Sequence, residues 1–106
     1  MDYRLKKEKD FNTVFKKGKR LFSSQMTVLF LPSDNLKFGI AVGKKIGGSV
    51  KRNKVKRLFR ESFRSFAPNI DANFFFVFIP KVKEEYNFQV IKEDMAHLLK
   101  KGGFID

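Results

Sequence analysis

The sequence of 106 residues contains no cysteine, no tryptophan and only one histidine, His97. Without cysteine the chain forms no disulfide and has no thiolate nucleophile, and one histidine cannot build a metal cluster by itself. No apolar run approaches the ~20 residues of a membrane span, and Met1–Lys9 is charged rather than apolar. We therefore expect a cytoplasmic protein with no metal site of its own and no association with a membrane.

Acidic residues are also scarce, and their scarcity is uneven. The chain has 23 Lys and Arg against 11 Asp and Glu, a net charge of +12. Residues 1–64 hold 18 basic and 5 acidic side chains (net +13), whereas residues 65–106 hold 5 and 6 (net −1). Such self-repulsion is relieved when a polyanion binds, so nucleic acid is the expected partner. An anionic membrane is the weaker alternative, because peripheral membrane proteins usually present a basic helix with an exposed apolar face.

What the chain has in abundance is phenylalanine, with 14 residues. Phenylalanine makes no hydrogen-bond demand when it is buried, so it can fill the core of one compact domain spanning residues 1–106. The patterns predict an α+β domain in the order α-β-β-β-α-β-α. The predicted elements are a helix at Asp10–Lys17 ended by Gly18, strands at 21–22, Gln25–Leu31, Lys37–Gly43 and Phe74–Ile79, and helices from Ser49 to Phe66 and from Asn87 to Lys101.

Turn and cap residues separate these elements. Pro32 ends the second strand, and the turn formers Ser33–Asn35 predict a hairpin between the second and third strands. Ser49 is the predicted N-cap of the long helix. The third strand alternates Phe38, Ile40 and Val42 with small residues, which predicts a core face and a nearly bare face.

The long helix carries the clearest functional pattern. At ~100° per residue, one arc is apolar and predicts contact with the sheet: Val55, Leu58, Phe59, Ser62, Phe63 and Phe66. The opposite arc collects polar and cationic residues: Asn53, Lys56, Arg57, Arg60 and Arg64.

The cationic arc is unlike an ordinary solvated surface, which mixes charges of both signs. Glu61 is the only acid between Lys44 and Arg64, against nine basic residues. Only Arg57 has an acid at i±4, Glu61, so little relieves the repulsion among them. Arginine can hold a phosphate with two hydrogen bonds, and Asn53 can both donate and accept. The pattern favours nucleic-acid binding by this helix.

These residues also carry a family resemblance. The run from Lys44 to Glu61, KKIGGSVKRNKVKRLFRE, resembles the arginine- and asparagine-containing signature of bacterial ribonuclease P proteins. Leu5–Gly18, Lys37–Lys45 and Phe74–Lys81 are similar to that family's first helix, third strand and fourth strand. The departures are Ser49 in place of the usual Ala, Phe59 in place of an aliphatic residue, and Met26 and Leu29 in a strand that often carries aromatic residues.

The resemblance implies a four-stranded mixed sheet with a left-handed β-α-β crossover, an exception to the usual right-handed rule. It implies a protein subunit that helps a catalytic RNA remove the 5′ leader of precursor tRNA. Mg²⁺ would be held mainly by that RNA, the protein would supply no catalytic residue, and no protein partner would be required. The residues expected to bind RNA are Lys44, Lys45, Lys51, Arg52, Asn53, Lys54, Lys56, Arg57, Arg60 and Arg64.

The resemblance implies a second surface, a cleft between the first helix and the sheet for the single-stranded leader. Its expected residues are Phe11, Phe15, Leu29, Ala41, Gly43, Lys56 and Arg60. Phe11 and Phe15, one helical turn apart, can offer ring faces to unpaired bases. Burial of both rings in the core is the alternative that the sequence leaves open.

Two other functions compete with this hypothesis. The first is a non-enzymatic RNA-binding module, such as a ribosomal protein, that uses the same basic helix. The second is an autonomous nuclease, which would need carboxylates clustered around Mg²⁺, and the sequence offers no convincing set. An RNA-recognition domain is disfavoured because small residues stand on the third strand where stacking aromatics would be needed.

Overall fold

The sheet is built around its most apolar strand. The structure, a computed structural model, describes residues 3–106. Its four strands are β1 (Lys19–Phe22), β2 (Met26–Pro32), β3 (Lys37–Ile40) and β4 (Phe74–Pro80), in the spatial order β1-β2-β4-β3. β4 pairs antiparallel with β2 and parallel with β3, so the sheet is mixed. The central place of β4 confirms that its continuous apolar run is a strand with both faces in the core.

The predicted hairpin between β2 and β3 is wrong. The chain does reverse after Pro32, but β4 lies between these two strands and takes the hydrogen bonds of both. The true hairpin joins β1 to β2 through residues 23–25. Asp94 holds this turn, because Ser23 Oγ and the Gln25 backbone N–H both donate to its carboxylate.

Three helices complete the domain: α1 (Glu8–Lys17), α2 (Ser49–Phe66) and α3 (Phe88–Lys101). α1 ends where Gly18 is required, since a Cβ there would lie 2.6 Å from the Val14 carbonyl oxygen. The predicted cap at Ser49 is wrong by one residue: Gly48 is the N-cap of α2 and no side chain caps it. Asn87 does cap α3, because its Oδ1 accepts from the Val90 N–H at 3.1 Å.

The helices cover the two faces of the sheet unequally. α2 and α3 pack together on one face over a large core that includes Phe38, Phe59, Phe63, Phe76 and Phe78, each no more than 1% exposed. α1 alone covers the other face, over a small cluster of Leu5, Val14, Leu29 and Val77. The result is the predicted α+β domain, in which β3, α2 and β4 form a parallel crossover unit. The left hand of that crossover stays a prediction.

Within residues 3–106, no helix is both long enough and apolar enough to span a membrane.

Candidate RNA-binding surfaces

The outer side of α2 presents the cationic arc that the helical wheel predicted. Val55, Phe59, Ser62 and Phe63 are buried, and Leu58 and Phe66 are half-buried. On the other side Asn53, Lys54, Arg57 and Arg64 are exposed, with Lys56 and Arg60 half-buried at its border. We call these last six residues the cationic face. Burial of one arc fixes the opposite arc towards solvent, where its guanidinium and ammonium groups can contact phosphates.

Lys51 differs from the rest of the predicted RNA-binding set because its ammonium group already has partners. Lys51 Nζ donates to the Lys83 carbonyl at 3.1 Å and lies 5.7 Å from the centroid of the Tyr86 ring. The Tyr86 hydroxyl in turn donates to the Lys81 carbonyl at 2.7 Å. Lys51 therefore holds the connection between β4 and α3 against the start of α2.

The segment that leads into α2 brings further cations to the same end of the helix. Lys44 and Lys45 are exposed on a 3₁₀ turn, Lys44–Ile46. Gly47 follows with φ +143°, a conformation that side chains rarely adopt, so a glycine is needed where the chain enters α2. Arg52 is half-buried, and its Nε is buried without a hydrogen-bond partner in the described structure.

A groove of about 330 Å³ opens beside β3, between the start of α1 and the side of α2. We call it the β3-edge groove. Its lining residues are Arg4, Leu5, Lys6, Phe11, Phe38, Gly39, Ile40, Lys56 and Arg60. Three of these, Phe11, Lys56 and Arg60, belong to the cleft that the sequence predicted. The groove thus joins an aromatic ring to the border of the cationic face.

The floor of the groove depends on the absence of a side chain at Gly39. A Cβ at this position would collide with the ring of Phe11, which lies directly over the glycine. Phe11 is half-buried, so part of its surface stays open to the groove. The bare face of β3 therefore lets the ring lie against backbone instead of projecting into solvent.

Positive charges converge at the rim of the groove. Burial lowers the pKa of Arg60, and the nearby guanidinium groups of Arg4 and Arg64 lower it further. An arginine remains protonated despite such a shift, so the consequence is mutual repulsion rather than loss of charge. A phosphate at this rim would relieve that repulsion.

The remaining predicted cleft residues lie outside the lining of the groove. Phe15 is exposed (37%), and the alternative that both rings are buried in the core is wrong. Gly43 is exposed and Ala41 is half-buried beneath α1. Leu29 needs a correction, because it is 0% exposed within the small core cluster and has no surface to offer a ligand.

Sequence reasoning missed the contribution of the segment before α1. Arg4 bridges to Phe38, and the Leu5 N–H donates to the Phe38 carbonyl at 2.7 Å, so this segment runs beside β3 and forms one wall of the groove. The dense basic charge around Arg4 and Lys6 was the only signal.

Metal-binding side chains do not cluster in the part of the chain that the structure describes. Within residues 3–106, no three His, Cys, Asp or Glu side chains are placed to hold a metal ion. Ser62 is buried with its Oγ unpaired among the described residues, and it points into the core side of α2 rather than into either surface.

Comparison with known proteins gives one consistent result. The model of the family described as Ribonuclease P matches residues 1–103. The ribonuclease P protein component of Bacillus cereus is 36% identical over 105 residues, which are 95% of this chain and 91% of the relative. The solved RNase P protein of Thermotoga maritima is 37% identical, with a TM-score of 0.82 over 92% of this chain and 96% of that one. The Staphylococcus aureus RNase P protein is 30% identical, with a TM-score of 0.87 and full coverage of both chains.

Proposed function

Because this chain belongs to the ribonuclease P protein family, we propose that its cationic face binds the catalytic RNA and that its β3-edge groove binds the 5′ leader of precursor tRNA. The protein is the protein component of an RNA-based endoribonuclease, and a non-enzymatic RNA-binding module is not favoured. What remains for this chain's residues is to bind, orient and neutralise RNA.

The observation that carries the leader assignment is the composition of the groove. A half-buried ring, Phe11, lies over bare backbone at Gly39, while Lys56 and Arg60 line the same groove. Unpaired bases stack on aromatic rings, and cations track the backbone of a single strand. Phe15, one turn along α1 and exposed, extends the aromatic surface beyond the groove.

The cationic face supports the assignment to the catalytic RNA. Its residues lie on a helix whose other side is packed in the core, so the backbone that carries the charges is already in place before RNA binds. Each phosphate that they neutralise releases counterions, which favours binding at low salt. Asn53 and Arg52, at the start of α2, are the residues that we place nearest to the phosphates that carry Mg²⁺.

Mg²⁺ would be held mainly by the catalytic RNA, and it would supply the chemistry of hydrolysis there. The protein would lower the repulsion among the phosphates that crowd around such ions. The same assignment places the protein in the cytoplasm with precursor tRNA, and without a required protein partner.

The test is the double variant Arg57→Ala/Arg60→Ala, with Lys81→Ala/Lys92→Ala as a control of equal charge change. Affinity for the catalytic RNA should fall, and the slope of log affinity against log salt should flatten by roughly 0.7–0.9 per lost phosphate contact. Precursor tRNA cleavage at limiting protein should fall with it. Equal behaviour of the two double variants at physiological salt would refute the role of the cationic face.

A further inference from the structure

A second pocket lies at the end of the sheet where β1 begins, away from the β3-edge groove. It has a volume of about 240 Å³ and lies between the last turn of α1 and the end of α3. Its walls include Phe30, Phe74 and Phe104, all half-buried. We call it the Phe104 pocket. It is smaller than the ~300–1,000 Å³ of typical ligand sites, so its size suits a single flat ring system.

The chain after α3 is folded so that the ring of Phe104 forms one wall of this pocket. Gly103 has φ +79°, the Gly103 N–H donates to the Lys100 carbonyl at 3.0 Å, and the Phe104 N–H donates to the Leu99 carbonyl at 2.9 Å. This pair of bonds is a Schellman motif, which returns the chain over the end of the helix. The ring of Phe104 then meets Phe30, Phe74 and Phe76 edge-on, with centroids 5.1, 5.0 and 4.8 Å away.

The charged residues in the lining of the Phe104 pocket are both cations, Lys17 and Lys19. Lys16, Lys100 and Lys101 are exposed in the last turns of the two adjoining helices. Lysines at a helix C-terminus also stabilise its dipole, which explains their presence at each helix separately. The helix dipoles do not explain why the two helix ends that carry these lysines meet around an open aromatic pocket.

We propose that the Phe104 pocket binds an unpaired nucleobase, with Lys17 and Lys19 on the flanking phosphates. Aromatic walls with cations at the rim are the combination that recognises single-stranded nucleic acid. We assign the base to the catalytic RNA rather than to the leader, because the Phe104 pocket shares no lining residue with the β3-edge groove that is assigned to the leader. This inference rests on the proposed partnership with the catalytic RNA.

The chemistry of the Phe104 pocket is tested by NMR titration with adenosine 5′-monophosphate, using ribose 5-phosphate as the probe without a base. The amides of Gly102, Gly103 and Lys19 should shift with the nucleotide and shift much less with the sugar phosphate. Equal shifts with both probes, or shifts confined to residues of the β3-edge groove, would overturn the assignment.

Two variants test the role of the pocket in the complex. Lys17→Gln/Lys19→Gln removes the rim charges, and Phe104→Leu keeps an apolar side chain but removes the stacking ring. Each should weaken binding of the catalytic RNA about five-fold or more, while Lys81→Gln/Lys92→Gln should not. Melting temperatures close to that of the unmodified protein would show that Lys17→Gln/Lys19→Gln is folded, so that this variant decides the outcome if Phe104→Leu is unstable.

The outcomes separate this inference from the function on which it depends. If the unmodified protein binds the catalytic RNA and the variants of the Phe104 pocket bind equally well, the pocket assignment fails alone. If their defect appears only when a precursor leader is present, the assignment to the catalytic RNA fails. If the unmodified protein does not bind the catalytic RNA, the proposed function fails as well.

Discussion

The two faces of the sheet use the same residue type for opposite purposes. On the face under α2 and α3, Phe38, Phe63 and Phe76 are at most 1% exposed. The ring of Phe63 is stacked on Phe38 with the centroids 4.4 Å apart, and it lies 5.7 Å from the centroid of Phe76. On the face under α1, Phe11 is half-buried and Phe15 is exposed. Two helices cover the centre of the first face, whereas one ten-residue helix cannot cover the second.

The comparison shows how a small protein can separate stability from binding. The central rings of the covered face, Phe38, Phe63 and Phe76, have no surface left for a ligand, so their burial contributes to folding. The partly covered face keeps rings and small residues available beside the cationic face. Substitutions on the two faces should therefore differ in how much folding stability they cost and in how much they weaken binding.

The largest effect is expected from Phe63→Ala, at the centre of the covered face. Phe63 contacts Phe38, Phe76 and Phe78 with centroid distances of 4.4, 5.7 and 5.5 Å. Its truncation should lower the free energy of unfolding by about 3–5 kcal/mol, because a cavity is left among rigid rings. Urea denaturation measures the loss. A loss below about 1 kcal/mol would mean that the two faces do not differ in the way described.

A smaller effect is expected from Gly39→Ala, which adds one methyl group to the partly covered face. The new Cβ would collide with the ring of Phe11, so the ring must move out of its place. Overpacking of this kind costs about 1–3 kcal/mol. Leader-dependent affinity for precursor tRNA should fall as well, because the groove loses its floor. Gly43→Ala is the matched control, since nothing lies within 4 Å of a Cβ at that position.

The sequence predicted those features that depend on local pattern. The apolar run at Phe74–Pro80 and the helical spacing of α2 and α3 were both confirmed, because one-sided or complete burial imposes a period on the residues. The pairing of β2 with β4 instead of β3 was not predictable from turn residues. Turn residues indicate where the chain reverses. The strand that pairs with β2 is β4, which lies more than forty residues away in the sequence.

The candidate site also contains features that local pattern predicts and features that only the structure shows. The cationic face follows from the helical wheel. Four of its residues are exposed, and Lys56 and Arg60 are half-buried at its border. The wall formed by Arg4 and Leu5 could not be predicted, because it depends on backbone hydrogen bonds to Phe38 that leave no pattern in the side chains. The bare face of β3 was predicted, but only the structure shows that the Phe11 ring lies on it.

Leu58→Ala should have a modest effect, although Leu58 belongs to the predicted apolar arc of α2. Its side chain is only half-buried, at the edge of the large core cluster. Truncation there should cost about 1–2 kcal/mol, less than for a fully buried leucine, because solvent can fill the space. Val55→Ala, at a buried position one turn earlier, is the comparison: the loss in free energy of unfolding is divided by the number of deleted methyl or methylene groups in each variant. Equal losses per methyl group in urea denaturation would show that Leu58 is as enclosed as Val55.

The smallest loss of stability is expected from Phe15→Ala, on the partly covered face. The ring is 37% exposed and lies outside both core clusters, and alanine favours the helix, so the cost should be about 1 kcal/mol or less. Its effect on binding should be larger. If an unpaired leader base stacks on this ring, affinity for precursor tRNA in the presence of the catalytic RNA should fall by about 1–3 kcal/mol.

The effect of Phe15→Ala must depend on the leader, because mature tRNA has no unpaired 5′ nucleotides to stack. Affinity for mature tRNA should therefore stay nearly unchanged, and so should affinity for the catalytic RNA alone. Phe22→Ala is the control, since Phe22 is the more exposed ring, at 61%, and lies on the edge strand β1. Equal loss for precursor and mature tRNA, or an equal effect of Phe22→Ala, would remove Phe15 from the leader surface. Either result would leave the cationic face of α2 unaffected, because its residues are tested separately through salt dependence.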